Sequence, residues 1–279
     1  MGGALVDLAP VRGQAGRAAL AAATVAGMLV GSAGAAAESL PPPGIPPPGA
    51  NQPGCRPTSA HPDPVVLVHG TFEDMSGTWA ALSPRLSSLG YCVFALDYGH
   101  RGTDPVEGSA VELGAFVDRA LAATGASHVL LVGHSQGGMM PRYWMRFLGG
   151  AGRVRGLVGL SPTNHGTANP LTPTAGRNGC PSCTEQMAGS DFLRRLNAGG
   201  DTLPGVSYTV VQTAWDEVVT PFTSAFLSGA RVTDVTLQSR CPLDPTEHVG
   251  IVADPVAVQW VVDALDHGGL AEPGFRPVC

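Results

Sequence analysis

Lysine is missing from this 279-residue chain: all 16 of its basic residues are arginine. Charge of either sign is scarce, at 14% of residues, and the balance is acidic, -6 at pH 7. With no basic cluster to hold phosphates, nucleic acid is not an expected partner. Metal-ligand spacing is missing as well. Cys180 and Cys183 form a lone C-P-S-C element, with no second pair and no nearby histidine at ligand distance. No metal or other cofactor is expected. No segment recurs at intervals of about 20–50 residues, which excludes a repeat array. The apolar run Ala18–Val30 is short for a bilayer span and contains glycine, so stable membrane insertion is not expected.

What is present is apolar substance. Hydrophobic residues make up 44% of the chain, enough for one large domain with a sizeable core. The start of the chain reads as a leader. Arg12 and Arg17 precede the apolar run, and Ala35-Ala36-Ala37 supply small residues for cleavage before Glu38. Residues 1–37 are therefore expected to be a secretory signal peptide. Residues 38–54 follow as a Pro-rich linker, because PPPGIPPPGA cannot form a helix or strand interior. The folded domain is expected over 55–279. Export to an oxidising compartment lets Cys55, Cys92, Cys180, Cys183, Cys241 and Cys279 pair. An even count favours three bridges, and sequence alone leaves their connectivity open. A small clamp between Cys180 and Cys183 is the simplest local pairing.

From Cys55 onward, apolar runs alternate with helical patterns. The runs at 65–69, 92–96, 128–133, 155–160, 207–212 and 232–237 are short and mostly apolar throughout. That suits strands covered on both faces. Helical spacing joins Trp79, Leu82, Leu86 and Leu89, and again Leu113, Val117 and Leu121. A last helix is expected from about Asp254 to Asp266. The alternation implies a doubly wound α/β fold: a mostly parallel sheet of about six strands with helices on both faces. Residues 161–190 are polar and rich in Pro and Gly, and are expected to be irregular.

The sharpest chemical signal is Gly133-His134-Ser135-Gln136-Gly137. It follows an apolar run and precedes a helical pattern, the setting of a nucleophile elbow. Ser135 is the expected nucleophile. Val68-His69-Gly70-Thr71-Phe72 closes the first strong strand. Acyl transfer places negative charge on the former carbonyl oxygen, and two main-chain N–H groups must already face it. Thr71 and Gln136 are the expected donors. In this arrangement an acid and then a histidine follow the nucleophile in chain order. Asp216 leaves the run 207–212 and is the expected acid, with Glu217 its rival. Only His165, His248 and His267 lie after Ser135. His165 precedes the acid and His267 ends the last helix, so order selects His248 as base.

PVVLVHGTF, YCVFALDYG, LVGHSQGGMMPRY, SPTNHGT, WDEVVTP and EHVGI stand in this order from about Cys55 to Cys279. The set resembles the secreted actinobacterial triacylglycerol lipases of the α/β-hydrolase superfamily. The resemblance implies the triad Ser135, Asp216 and His248, the oxyanion pair Thr71 and Gln136, and bridges Cys55–Cys92 and Cys241–Cys279 beside Cys180–Cys183. It implies a cofactor-free hydrolase taking lipid or ester substrate at a lipid–water interface. The enzyme would be a secreted monomer, in the medium or at the cell wall. Phe72, Met139, Asn164 and His165 are candidates for substrate contact, although a methionine placed like Met139 more often packs a helix against the sheet. Residues 166–187 depart from the pattern: a lid segment would be more apolar. Acyl transfer and polyester depolymerisation share the same first chemical step and stand as alternatives.

Overall fold

The protein is described from a computed structural model over residues 44–279. The expected signal peptide and residues 38–43 of the linker lie outside the described residues. Six strands form one sheet: β1 (Val65–Val68), β2 (Val93–Leu96), β3 (Val129–His134), β4 (Val154–Leu160), β5 (Ser207–Gln212) and β6 (Val232–Thr236). Every pairing is parallel, in the order β2-β1-β3-β4-β5-β6. Parallel neighbours need crossovers, and helices supply most of them. In chain order the helices are α1 (Met75–Thr78), α2 (Leu82–Ser88), α3 (Gly99–Gly102), α4 (Val106–Thr124), α5 (Gln136–Phe147), α6 (Thr172–Arg177), α7 (Pro181–Glu185), α8 (Asp191–Asn197) and α9 (Pro255–Asp266). Each expected strand is present, with its ends displaced by one residue at most.

Alternation along the strands splits the core into two layers. Val65 and Leu67 face one side, where Leu82 and Leu86 of α2 and Val256, Trp260 and Val261 of α9 pack. Val66 and Val68 face the other, against α4, α5 and α8. Each fully buried Val or Leu contributes about 1.5–3 kcal/mol. A charge at Leu67, wholly buried in the sheet centre, would therefore break the fold. Helix α4 buries Val106, Ala110, Leu113 and Val117 at spacings of three and four. It stops at Gly125, whose φ of 74° is left-handed and whose N–H returns to Leu121 O. Helix α9 opens on Asp254, whose carboxylate accepts from Ala257 N–H at 2.7 Å, with Pro255 next.

Two regions hold more order than composition suggests. Residues 44–54 of the expected linker are tied to β2: Asn51 N–H donates to Val93 O at 2.9 Å. The Asn51 side chain exchanges bonds of 2.8 and 3.0 Å with the Ala95 main chain. The stretch 161–190, expected to be irregular, contains α6 and α7. Both carry proline in the first turn, where its missing N–H costs nothing. All three disulfides pair as the resemblance implies, Cys55–Cys92, Cys180–Cys183 and Cys241–Cys279.

Candidate active site

The site is assembled by strand order. Val68 at the end of β1 lies opposite Gly133 near the end of β3. The loops that follow, carrying Thr71 and Ser135, therefore leave the same edge side by side. Loops after the carboxyl ends of parallel strands are where such sheets place ligands. The turn at Ser135 is tight. Its φ is 52° and its ψ -120°, a conformation that L residues seldom adopt. Glycine is required on both sides of it. A Cβ on Gly133 would lie 1.9 Å from Gly137 O, and one on Gly137 would lie 2.1 Å from Val68 O. Ser135 caps β3 at the start of α5 and lines a cleft, although only 6% of its surface is exposed.

Asp216 follows β5 and His248 follows β6. The two meet: His248 Nδ1 is 2.9 Å from Asp216 Oδ2. A carboxylate oxygen accepts, so Nδ1 carries the hydrogen and Nε2 is left as the ring's free base. Asp216 also accepts from Gln212 Nε2 at 3.0 Å, and from the N–H groups of Val218 and Val219 at 2.9 and 2.7 Å. Burial alone would push this carboxyl up. The hydrogen bond and charge of His248, with the two main-chain donors, outweigh it and hold Asp216 below the usual range. Glu217, the rival acid, reaches the main-chain N–H of His248 at 3.4 Å instead of the ring.

The cleft has a volume of about 440 Å³. Ser135 and His248 share it with Thr71 and Phe72 from the loop after β1, and with Val218 and Val249. Its remaining wall comes from Glu73 and from residues 163–186, through Leu171, Thr172, Ala175 and Cys183 among others. Apart from Leu171 those side chains are small, but they present methyl and methylene groups, so the wall is largely apolar. Phe72 and Leu171 stand 56% and 73% exposed. Gln136 is the first residue of α5, where a main-chain N–H has no partner within the helix. Beside it, the Thr71 hydroxyl accepts from Gln186 Nε2 at 2.9 Å. Gln186 Oε1 in turn accepts from Thr163 at 2.8 Å. The Cys180–Cys183 bridge lies within the same short segment. Gln186 and Thr163 carried no signal in the sequence, since nothing local pairs them with Thr71.

Of the candidate substrate contacts, Phe72 lines the cleft. Met139, Asn164 and His165 do not. Met139 is fully buried in the layer beneath α5. Asn164 accepts from the buried Arg142 guanidinium at 3.1 Å and donates to Ala225 O at 2.7 Å. His165 bonds Asp201 at 3.0 Å and Ser224 O at 3.1 Å. Asp263, His267 and Glu272 bring ligand atoms within 4.8 Å of one another. None of the three lines the cleft. Among the described residues, no helix is long and apolar enough to cross a membrane.

Comparison with known proteins finds lipases. The profile of the lipase (class 2) family matches residues 62–261. A stretch of 86 residues is 40% identical to a triacylglycerol lipase of Pseudarthrobacter phenanthrenivorans, covering 29% of this chain and 27% of that protein. A triacylglycerol lipase of Burkholderia plantarii shows 40% identity over 86 residues and is covered to 24%. The chain thus spans about a quarter of the length of these curated relatives. The crystal structure of Aspergillus fumigatus lipase B superposes with a TM-score of 0.68 at 26% identity, over 76% of this chain and 54% of that one.

Proposed function

The chain belongs to the class 2 lipase family, and from that premise we propose that it is a secreted serine ester hydrolase cleaving fatty acyl esters, acylglycerols among them. The observation that carries this reading is the convergence of Ser135 and His248 on one apolar cleft, with Asp216 2.9 Å behind the histidine. Ser135 Oγ attacks the ester carbonyl carbon while His248 Nε2 takes its proton. The carbonyl oxygen becomes an oxyanion and is met by the N–H groups of Thr71 and Gln136. As the intermediate collapses, the ester C–O bond breaks. His248 returns the proton to the leaving alcohol, and the acyl group stays on Ser135. Water then repeats the sequence and releases the acid. Asp216 keeps the hydrogen on Nδ1 and stabilises the imidazolium that forms at each step. No metal or cofactor enters this scheme.

The apolar walls around Ser135 support an acyl chain over a charged acid component. The three disulfides accord with an oxidising compartment outside the cell. The test is hydrolysis of p-nitrophenyl butyrate, octanoate and palmitate and of emulsified triolein, with Ser135→Ala as blank. Turnover of the long chains and triolein is expected, and Ser135→Ala is expected to be inactive yet folded. Activity confined to butyrate would leave a short-chain esterase or polyester hydrolase. Acyl-enzyme formation without release to water would make it an acyltransferase. A folded Ser135→Ala variant with full activity would remove Ser135 from the mechanism.

A further inference from the structure

His134 stands next to Ser135, and the reaction as written gives it no part. Its side chain is fully buried, and it does not line the cleft. Oxygen faces both of its ring nitrogens. Nε2 lies 2.9 Å from the main-chain carbonyl of His248. Nδ1 lies 2.7 Å from Glu73 Oε1. A carbonyl only accepts, so Nε2 carries hydrogen. A lone pair on Nδ1 would be repelled by a carboxylate at that distance, so Nδ1 carries hydrogen too. The ring that meets both conditions is the imidazolium. Glu73 sits off the N–H axis, so the contact is a charge pair more than an aligned hydrogen bond.

The two partners belong to different loops. The other oxygen of Glu73 accepts from Gly70 N–H at 2.7 Å and from the Thr78 hydroxyl at 2.9 Å. Gly70 immediately precedes Thr71. The carbonyl on the opposite side belongs to His248 itself. One buried ring therefore spans from the loop that carries an oxyanion donor to the loop that carries the base, directly behind the nucleophile.

We propose that His134, held as an imidazolium, is a positioning residue that latches the Thr71 loop to the His248 loop. The proposal rests on the roles given above to Ser135, Thr71 and His248. The charged and titratable groups facing the ring are Glu73 from the loop after β1, Asp216 from the loop after β5, and the His248 ring, whose centroid is 4.8 Å away. Burial, the largest single influence, disfavours the charged form, but Glu73, the His248 carbonyl and Asp216 together outweigh it and the His134 pKa is raised. Burial likewise acts against the Glu73 carboxylate, and His134 with the Gly70 N–H and the Thr78 hydroxyl outweighs that and holds it at about 2. Catalysis needs both loops in place before charge develops on the substrate. Loosening them by about 1 Å costs up to roughly 100-fold in rate. His134 does not line the cleft, so loosening through its own side chain falls on kcat and not on KM, whereas Glu73 also lines the cleft.

Long-range proton–nitrogen spectra of the full-length protein labelled with ¹⁵N-histidine test the charge. The His134 signals are those absent from His134→Gln, with Glu73→Gln as a second assignment by displacement. Both ring nitrogens are expected to be protonated at about pH 7, against the ordinary histidine value near 6.5. A neutral ring there overturns the proposal. Kinetics on p-nitrophenyl octanoate test the latch in His134→Gln, Glu73→Gln and the double variant, each checked for folding by circular dichroism. Each single variant is expected to lose about 10–100-fold in kcat, with KM within about twofold in His134→Gln, whose side chain does not line the cleft. The double variant is expected to be no worse than the worse single, because the pair acts as a unit. Multiplicative losses, or a folded His134→Gln or Glu73→Gln with unchanged kcat, overturn the latch. Ser135→Ala in the same assay separates the two readings. If it is inactive while His134→Gln is unaffected, the latch alone fails; if it is active, the reading beneath it fails.

Discussion

Replacing Asp216 by asparagine changes the acid of the proposed triad while keeping its shape. The carboxylate accepts four bonds, from Val218 and Val219 N–H at Oδ1, and from Gln212 Nε2 and His248 Nδ1 at Oδ2. Asparagine offers one accepting oxygen and one donating nitrogen. If the nitrogen faces Val218 and Val219, two buried main-chain donors lose their acceptor, at about 1–3 kcal/mol each. If it faces His248, the ring must accept at Nδ1 and carry its hydrogen on Nε2. The second orientation is the less costly, and it disables the atom that has to take the Ser135 proton. This swap in a serine protease triad lowers kcat by about 10⁴-fold through the wrong tautomer, or about 5.5 kcal/mol at 1.36 kcal/mol per decade. A loss of that order is expected here. KM is expected to hold within about twofold, since Asp216 does not line the cleft. The assay is steady-state hydrolysis of p-nitrophenyl octanoate by the folded variant. A loss below about tenfold would show that the tautomer does not depend on Asp216. Glu217→Gln would then be the variant to measure.

Two further outcomes are expected. Cys241→Ser with Cys279→Ser removes a bridge between positions 38 apart. It should cost about 2–4 kcal/mol, or roughly 5–15 °C in Tm for a domain of this size. Calorimetry that finds Tm unchanged would show that the bridge carries no stability. Glu73 is held at about 2, below its ordinary 4.5. Its stabilisation is therefore complete above that ordinary value and is lost as pH falls through about 2. Urea midpoints should accordingly fall more steeply for the wild type than for Glu73→Gln between pH 4.5 and about 2, closing the gap that separates them at neutral pH. Parallel curves would mean that Glu73 titrates as a solvated carboxylate.

What could be read from the sequence and what could not divide along one physical line. A strand covered on both faces needs an unbroken apolar run, so Val65–Val68 and Val129–Val132 announce themselves whatever lies beside them. The proposed reacting groups follow the carboxyl ends of β3, β5 and β6 in chain order. Chain order therefore already ranks Ser135, Asp216 and His248, and the structure brings the last two to 2.9 Å. Lateral partners have no such signal. Glu73 meets His134, and Gln186 meets Thr71, because β1 lies beside β3 and residues 163–186 fold over both. That adjacency is a property of the sheet and is written in no local pattern. Closeness in sequence misleads for the same reason. Met139 is four residues from Ser135, yet one helical turn carries it into the core. Residues 166–187 look too polar to wall an acyl cleft when large apolar side chains are counted. The wall is instead built from Leu171, Ala175, threonine methyls and a disulfide. The groups assigned to the bond chemistry can thus be placed from one sequence by their order. The groups that hold them at working distance come from strand adjacency, and the variants of Glu73 and His134 measure how much of the rate that adjacency supplies.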